Sequence, residues 1–218
     1  MTDKEIQQAV LRELEWEPQV RSTEIGVAVK DGIVTLTGYV DSYVKKYNAE
    51  RAAKRVAGVK AVVNDLEVHL PVSSERTDED IARAAVRALE NRITVPRDRI
   101  KITVREGWIT LEGEVDWQYQ KESAESAVRY LSGVKGVSNL IAVKPRISPS
   151  PAEVRSQIEA ALRRSAELDA ERITVETQGS KVILRGRVRS WAERDEAERA
   201  AWRAPGVTLV ENLITVDL

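Results

Sequence analysis

The sequence predicts an α+β fold: three tandem α-β-β-α-β units, each a three-stranded mixed sheet with two helices packed on one face. Three observations carry that expectation. One nine-residue stretch occurs three times, as Gly32-Ile-Val34-Thr-Leu36-Thr-Gly38-Tyr-Val40, Gly107-Trp-Ile109-Thr-Leu111-Glu-Gly113-Glu-Val115 and Ser180-Lys-Val182-Ile-Leu184-Arg-Gly186-Arg-Val188. The glycines Gly38, Gly113 and Gly186 recur at intervals of 75 and 73 residues, which marks a repeat architecture. The same order of helical and alternating patterns surrounds each copy. The expected domains are residues 1–72, 73–146 and 147–218, each of about 70 residues and large enough to bury a core.

Each unit opens on a helix. Ile6, Val10, Leu11 and Leu14 fall at helical spacing, as do Ile81, Ala85, Val86 and Leu89, then Val154, Ile158 and Leu162. Asp3, Thr77 or Asp78, and Ser150 before Pro151 can cap these helices, and Pro18 helps end the first. Alternation at Ile25, Val27 and Val29, at Ile100, Ile102 and Val104, and at Ile173 and Val175 predicts a first strand. Asp31-Gly32 and Glu106-Gly107 read as hairpin turns needing positive φ. In the third unit the glycine shifts to Gln178-Gly179-Ser180, so that turn should differ.

The repeated stretch is the second strand. Gly38, Gly113 and Gly186 lie on its apolar side, which points to a bulge or a close helix crossing. The crossing is the expectation, because the next helix is lined by Ala49, Ala52, Ala53 and Val56, by Ala124, Ala127, Val128 and Leu131, and by Ala197, Ala200, Ala201 and Ala204. Gly58, Gly133 and Gly206 are expected to end these helices as left-handed residues. A last strand follows in the form Asn64-Asp-Leu66-Glu-Val68, Asn139-Leu-Ile141-Ala-Val143 and Asn212-Leu-Ile214-Thr-Val216. Arriving by a helix crossover, it can lie parallel to a hairpin strand. The joins are Pro71–Thr77 and the proline-rich Pro145–Pro151, which should be stiff.

Composition narrows function. Lys+Arg 34 against Asp+Glu 35 gives a net charge of −1, which disfavours a general nucleic-acid binder. With no cysteine and one histidine, His69, thiolate chemistry is excluded and a metal site beside Asp65 and Glu67 is weakly supported. No stretch reaches a membrane span, and the N-terminus lacks the apolar core of a secretory signal. The expectation is a cytoplasmic protein, peripheral to a membrane at most. No G-x-S-x-G elbow or carboxylate pair in an apolar pocket points to an enzyme, and no cofactor motif is present.

The candidate contact residues lie on the strand faces turned away from the helices and at the start of each second helix. Thr110, Glu112, Glu114 and Asp116 give the second unit an acidic outer face, and Ile183, Arg185, Arg187 and Arg189 give the third a basic one. These faces can meet each other or a partner. Against that stands pairing within each sheet, with Lys101 and Arg105 serving Glu112 and Glu114, and Glu176 serving Arg185 or Arg187. Tyr43, Trp117 and Trp191 sit at helix starts, where they can insert into a lipid interface or a partner, or pack locally. Trp108 is expected to be the most solvent-exposed aromatic, with Trp16 and Trp202 partly buried. Lys45, Lys46, Arg51, Lys54 and Arg55 can attract phosphate, although such a run is more often a solvated helix face. Gly133-Val-Lys-Gly136 matches the G-x-x-G phosphate clamp but joins a helix to a strand, so it is read as coincidence.

The G-x-V-x-L-x-G-x-V stretch, the order of elements, and the helix running through Gly-Val into Asn-x-(Ile/Leu)-x-Val together resemble the BON domain of bacteria, in three tandem copies. The resemblance implies a non-enzymatic binding or scaffold protein with a stress-response role. It would bind protein partners or anionic phospholipid surfaces and be open to self-assembly as a homo-oligomer. Periplasmic members commonly carry a secretory signal and two copies, whereas this chain shows three copies and neither signal nor lipobox. A nucleic-acid-binding repeat protein is the alternative.

Overall fold

The computed structural model describes residues 1–20, 24–147, 149–165 and 170–216. Repeat 1 contains α1 (Asp3–Trp16), β1 (Ile25–Lys30), β2 (Ile33–Val40), α2 (Tyr43–Arg55) and β3 (Ala61–Val68). Repeat 2 contains α3 (Asp78–Glu90), β4 (Ile100–Arg105), β5 (Trp108–Val115), α4 (Gln118–Arg129) and β6 (Gly136–Val143). Repeat 3 contains α5 (Pro151–Arg164), β7 (Ile173–Gln178), β8 (Lys181–Val188), α6 (Trp191–Trp202) and β9 (Leu209–Val216).

Each sheet has the repeated stretch as its central strand, in the orders β1-β2-β3, β4-β5-β6 and β7-β8-β9. The hairpin pair is antiparallel and the crossover strand parallel, with Trp108 opposite Gly136 and Val115 opposite Val143 in repeat 2, and Lys181 opposite Leu209 in repeat 3. In repeat 1, Lys60 N–H donates to Gly32 O and His69 N–H to Val40 O. The partners advance together, so that edge is parallel as well. The mixed three-stranded sheet with two helices on one face is therefore present three times.

Helix caps follow side-chain chemistry. Thr2, Thr77 and Ser150 are the N-caps, and Thr2 and Ser150 form reciprocal capping boxes with Glu5 and Glu153. Asp3 is thus one residue past the cap. Its carboxylate instead accepts from Asp31 N–H at 2.8 Å and Gly32 N–H at 2.9 Å, and Asp78 does the same for Glu106 and Gly107 at 2.7 and 2.8 Å. These acceptors stabilise a tight turn with two positive φ values, 54° and 78° in repeat 1 and 52° and 81° in repeat 2. Repeat 3 has Pro151 where the aspartate would be. Its turn has positive φ only at Gly179, and Thr177 donates to Pro151 O at 3.0 Å. The shifted glycine and the missing aspartate are one change.

The cores match the helical and strand periods, with Ile6, Val10, Leu14, Ile81, Ala85, Leu89, Val154, Ile158 and Leu162 buried. Val86 was expected on that apolar stripe and is 47% exposed; the buried residues of α3 are Ile81, Ala85 and Leu89. In repeat 3, Ala197, Ala200, Ala201 and Ala204 share one cluster with the α5 and strand residues. Their small size lets α6 approach both layers.

Two glycine expectations are corrected. A Cβ on Gly38, Gly113 or Gly186 would overlap the carbonyl oxygen of Glu24, Arg99 or Arg172, the residue before the first strand. These glycines have φ of 117°, 138° and 146°. The approach is between neighbouring backbones in the sheet, not between sheet and helix. Likewise Gly58, Gly133 and Gly206 lie beyond the helix ends, at φ of 84°, 88° and 80°. In repeats 1 and 2 each is the third residue of a separate turn closed by Val59 N–H to Val56 O or Val134 N–H to Leu131 O. Pro205 before Gly206 fits the same turn, since proline suits the second position and glycine the third.

By contact density, residues 1–39, 45–67 and 147–218 form one compact unit, and residues 40–44 and 68–146 form another. The first unit holds most of repeat 1 together with repeat 3. The second join includes Ser148, which lies outside the described residues.

Candidate functional site

The helices cover one face of each sheet, and the candidate contacts lie on the other. In repeat 2 that outer face carries Trp108 and Leu140, 48% and 62% exposed. Trp108 lies across the bare backbone of its cross-strand partner Gly136. Its Nε1–H donates to Ser138 Oγ at 2.9 Å. The ring is therefore held in place while one face remains wet, the arrangement of an aromatic covering a strand glycine. Repeat 1 exposes Ile33, Tyr39 and Val63 on the same face, and repeat 3 exposes Leu209 and Leu213. Each outer face thus keeps at least two large apolar side chains in solvent, where a sheet face meeting only water would be polar.

Charges on these faces are largely paired nearby. Glu114 pairs with Lys144, a residue beyond β6, and not with the expected Lys101 or Arg105. Lys101 lies opposite Glu112 in the ladder. Arg185 reaches Glu176 at 3.4 Å and Lys181 reaches Glu211. Ile183, between Glu176 and Glu211 in the ladder, is only 5% exposed, so this ring of charged chains surrounds it. Asp116 accepts from Arg99, with Arg146 also at 3.2 Å, and these cations hold its carboxyl below the usual range.

The aromatics at the second helices are half-buried. Tyr43 and Trp191 are the first residues of α2 and α6, and Trp117 is the N-cap of α4. Trp191 packs on the repeat 3 core, with the Arg194 guanidinium 4.6 Å from its ring centre and Lys54 Nζ of repeat 1 at 5.6 Å. Arg187 and Val216 of repeat 3 also line an open cleft of about 620 Å³ with Asp3, Gly32 and Lys60 of repeat 1. Arg189 is exposed, and its backbone N–H donates to Glu193 at 3.0 Å.

The basic run on α2 is mostly engaged. Lys46 donates to Leu66 O at 2.7 Å, Lys54 to Glu50 at 2.7 Å, and Arg55 to Glu13 and Glu17, while Arg51 lies over Tyr47. Such pairing leaves little free charge for phosphate. Among the described residues no group of three or more His, Asp and Glu could hold a metal ion, and no helix is long and apolar enough to cross a membrane.

The recurring asparagine of the last strand has a role that its place in the sequence does not state. Asn64, Asn139 and Asn212 each donate from Nδ2 to a helix carbonyl (Lys46, Lys121, Arg194) and to a helix glutamate (Glu50, Glu125, Glu198) at 2.9–3.2 Å. Each Oδ1 accepts from the backbone two residues on, at 3.2–3.4 Å. The last strand is thereby tied to the second helix. Recurrence at one position in all three copies was the signal. Trp16 was expected to be partly buried and is 83% exposed.

The glycine-centred strand, the second turn and the asparagine tie occur in register in all three copies, and the BON domain profile matches residues 2–69, 77–145 and 150–217. The chain belongs to the BON domain family. BON domains are structural and binding modules, and the non-enzymatic reading rests on that membership. The chain is 31% identical over 150 residues to the Osmotically-inducible protein Y of Escherichia coli strain K12, covering 66% of this chain and 74% of that protein. Among solved structures it is similar to CdsD, a structural protein of the type III secretion system of Chlamydia trachomatis. That match has 14% identity and a TM-score of 0.28, over 96% of this chain and 91% of the other. The PrgH periplasmic domain matches at 12% identity and a TM-score of 0.22, over 89% and 96%.

Proposed function

We propose that this three-BON chain is a non-enzymatic scaffold that binds protein surfaces through the outer faces of its sheets. The observation that carries the reading is the pairs of large apolar side chains left in solvent on those faces, Trp108 with Leu140 above all. A protein surface suits them better than an anionic membrane. The surrounding charges are of both signs and several are paired with one another, whereas lipid attraction needs a cluster of unopposed cations. The likeness to an osmotically inducible protein supports a role under stress.

A photo-crosslinking residue placed at Leu140 or Leu213, with Val86 on the helix side as control, tests this in cells expressing the chain. Protein adducts at positions 140 and 213 and few at 86 are expected. Phospholipid adducts at 140 and 213 would move the reading to a membrane surface, and equal labelling at 86 would remove the outer faces as the binding surface.

A further inference from the structure

Trp16 ends α1 with its indole almost wholly in water. The seam between α1 and α2 gives it no place, because Arg55 spans that seam to Glu13 at 2.7 Å and Glu17 at 3.1 Å. An indole carries one of the largest apolar areas of any side chain, so leaving it exposed forgoes substantial burial.

Repeat 3 lacks that bridge. Ala161 and Ser165 stand where repeat 1 has Glu13 and Glu17, and the seam between α5 and α6 opens as a groove of about 560 Å³. Ala160, Ala161, Ala200 and Ala204 form its apolar lining, and Arg164 and Arg203 are among its polar walls. The groove's carboxylate, Glu196, is occupied by Arg199 at 2.8 Å and Arg203 at 3.6 Å. Arg164 has no ion-pair partner among the described residues, and neither has Glu15, which adjoins Trp16. The projecting group is an aromatic beside acids, and the receiving groove is apolar beside arginines, which also favour an aromatic face. Trp16 and the groove belong to the same compact unit, yet Trp16 is exposed, so the chain does not fill its own groove.

The structure assigns this groove to Trp16 of a second copy. Every chain then carries one projection and one receptor on different surfaces. The contact is heterologous, and assembly proceeds head to tail until it closes into a ring or continues as a filament. This contact uses the helix side of repeat 3 and stands apart from the sheet faces.

Sedimentation velocity over a concentration series tests it, with Trp16→Ala removing the projection and Ala161→Glu restoring the acid of repeat 1 to fill the groove. Arg203→Glu is the second groove variant should Ala161→Glu melt below the parent. The parent is expected to sediment faster as concentration rises. Each variant alone should weaken association by about thirtyfold or more, the loss expected of a buried aromatic anchor. Mixing the Trp16 variant with a groove variant should restore one contact only, giving a 1:1 heterodimer that grows no further. A parent that stays monomeric, variants that assemble like the parent, or a mixture that remains monomeric would each overturn the assignment.

Discussion

A side chain on Gly113 would collide with the main-chain carbonyl of Arg99, the residue that leads into β4. The collision partner is backbone and cannot rotate away, and φ at Gly113 is 138°. Gly113→Ala should therefore destabilise the protein by at least about 2 kcal/mol, since both strain and overlap act. A thermal melt of the alanine variant checks it. Had the glycine served a helix crossing, the smallest side chain would be tolerated far better, so an unchanged melting temperature would restore that view.

The asparagine tie gives a second expectation. Asn139→Ala leaves the Ile141 N–H and the Lys121 carbonyl without their partner and removes a donor from Glu125. The loss should be about 2–3 kcal/mol, because part-buried polar groups lose their hydrogen bonds. Hydrogen exchange should show faster exchange along β6 than in the parent. Unchanged protection there would mean that the strand is held by its ladder with β5 alone.

Asp78 and the hairpin tip give a third. Asp78→Ala frees the N–H groups of Glu106 and Gly107, at a cost of about 1 kcal/mol because the site is near the surface. Amide exchange at those two residues should quicken while the turn in repeat 3, which uses Thr177, is unaffected. A variant with both amides as protected as before would contradict the role given to Asp78.

Acid should weaken repeat 1 through Glu50. Burial opposes its charge, but hydrogen bonds from Lys54 and Asn64 and the charges of Lys54 and Lys46 outweigh burial, and its pKa falls below the ordinary glutamate range. A carboxylate lowered on folding adds stability above its unfolded pKa and loses that contribution as pH falls through the folded value. Glu50→Gln should cost stability at pH 7, and the difference from the parent should shrink below about pH 4.5. Melts at pH 7 and pH 3 compare the two, and a gap that widens in acid would reverse the sign.

The element order was legible in the sequence because every pattern is written three times, so accidental spacings in one copy are outvoted by the others. The reason for Gly38, Gly113 and Gly186 was not legible. It depends on a carbonyl fourteen residues earlier, which only the hairpin register brings alongside. The Asn ties were visible as recurrence but not as hydrogen bonds, since their partners lie on a helix 14 to 18 residues away. Val86 and Trp16 failed the apolar-inside expectation because period alone fixes which side of a helix they share, not how far the partner layer extends. The outer-face alternation placed Trp108 in solvent, but at 48% it is less exposed than Trp16, Tyr130, Tyr39 and Tyr119 and so is not the most exposed aromatic. The same alternation missed the burial of Ile183, which the flanking Glu176 and Glu211 surround.

Radical footprinting of the chain inside cells that express it, compared with the purified chain, addresses the central claim most directly. Protection in cells is expected at Trp108, Leu140, Leu209 and Leu213 on the outer sheet faces, with Val86 and Tyr119 on the helices labelled equally in both settings. Outer-face residues labelled as strongly in cells as in the purified protein, with protection confined to the helices, would contradict it.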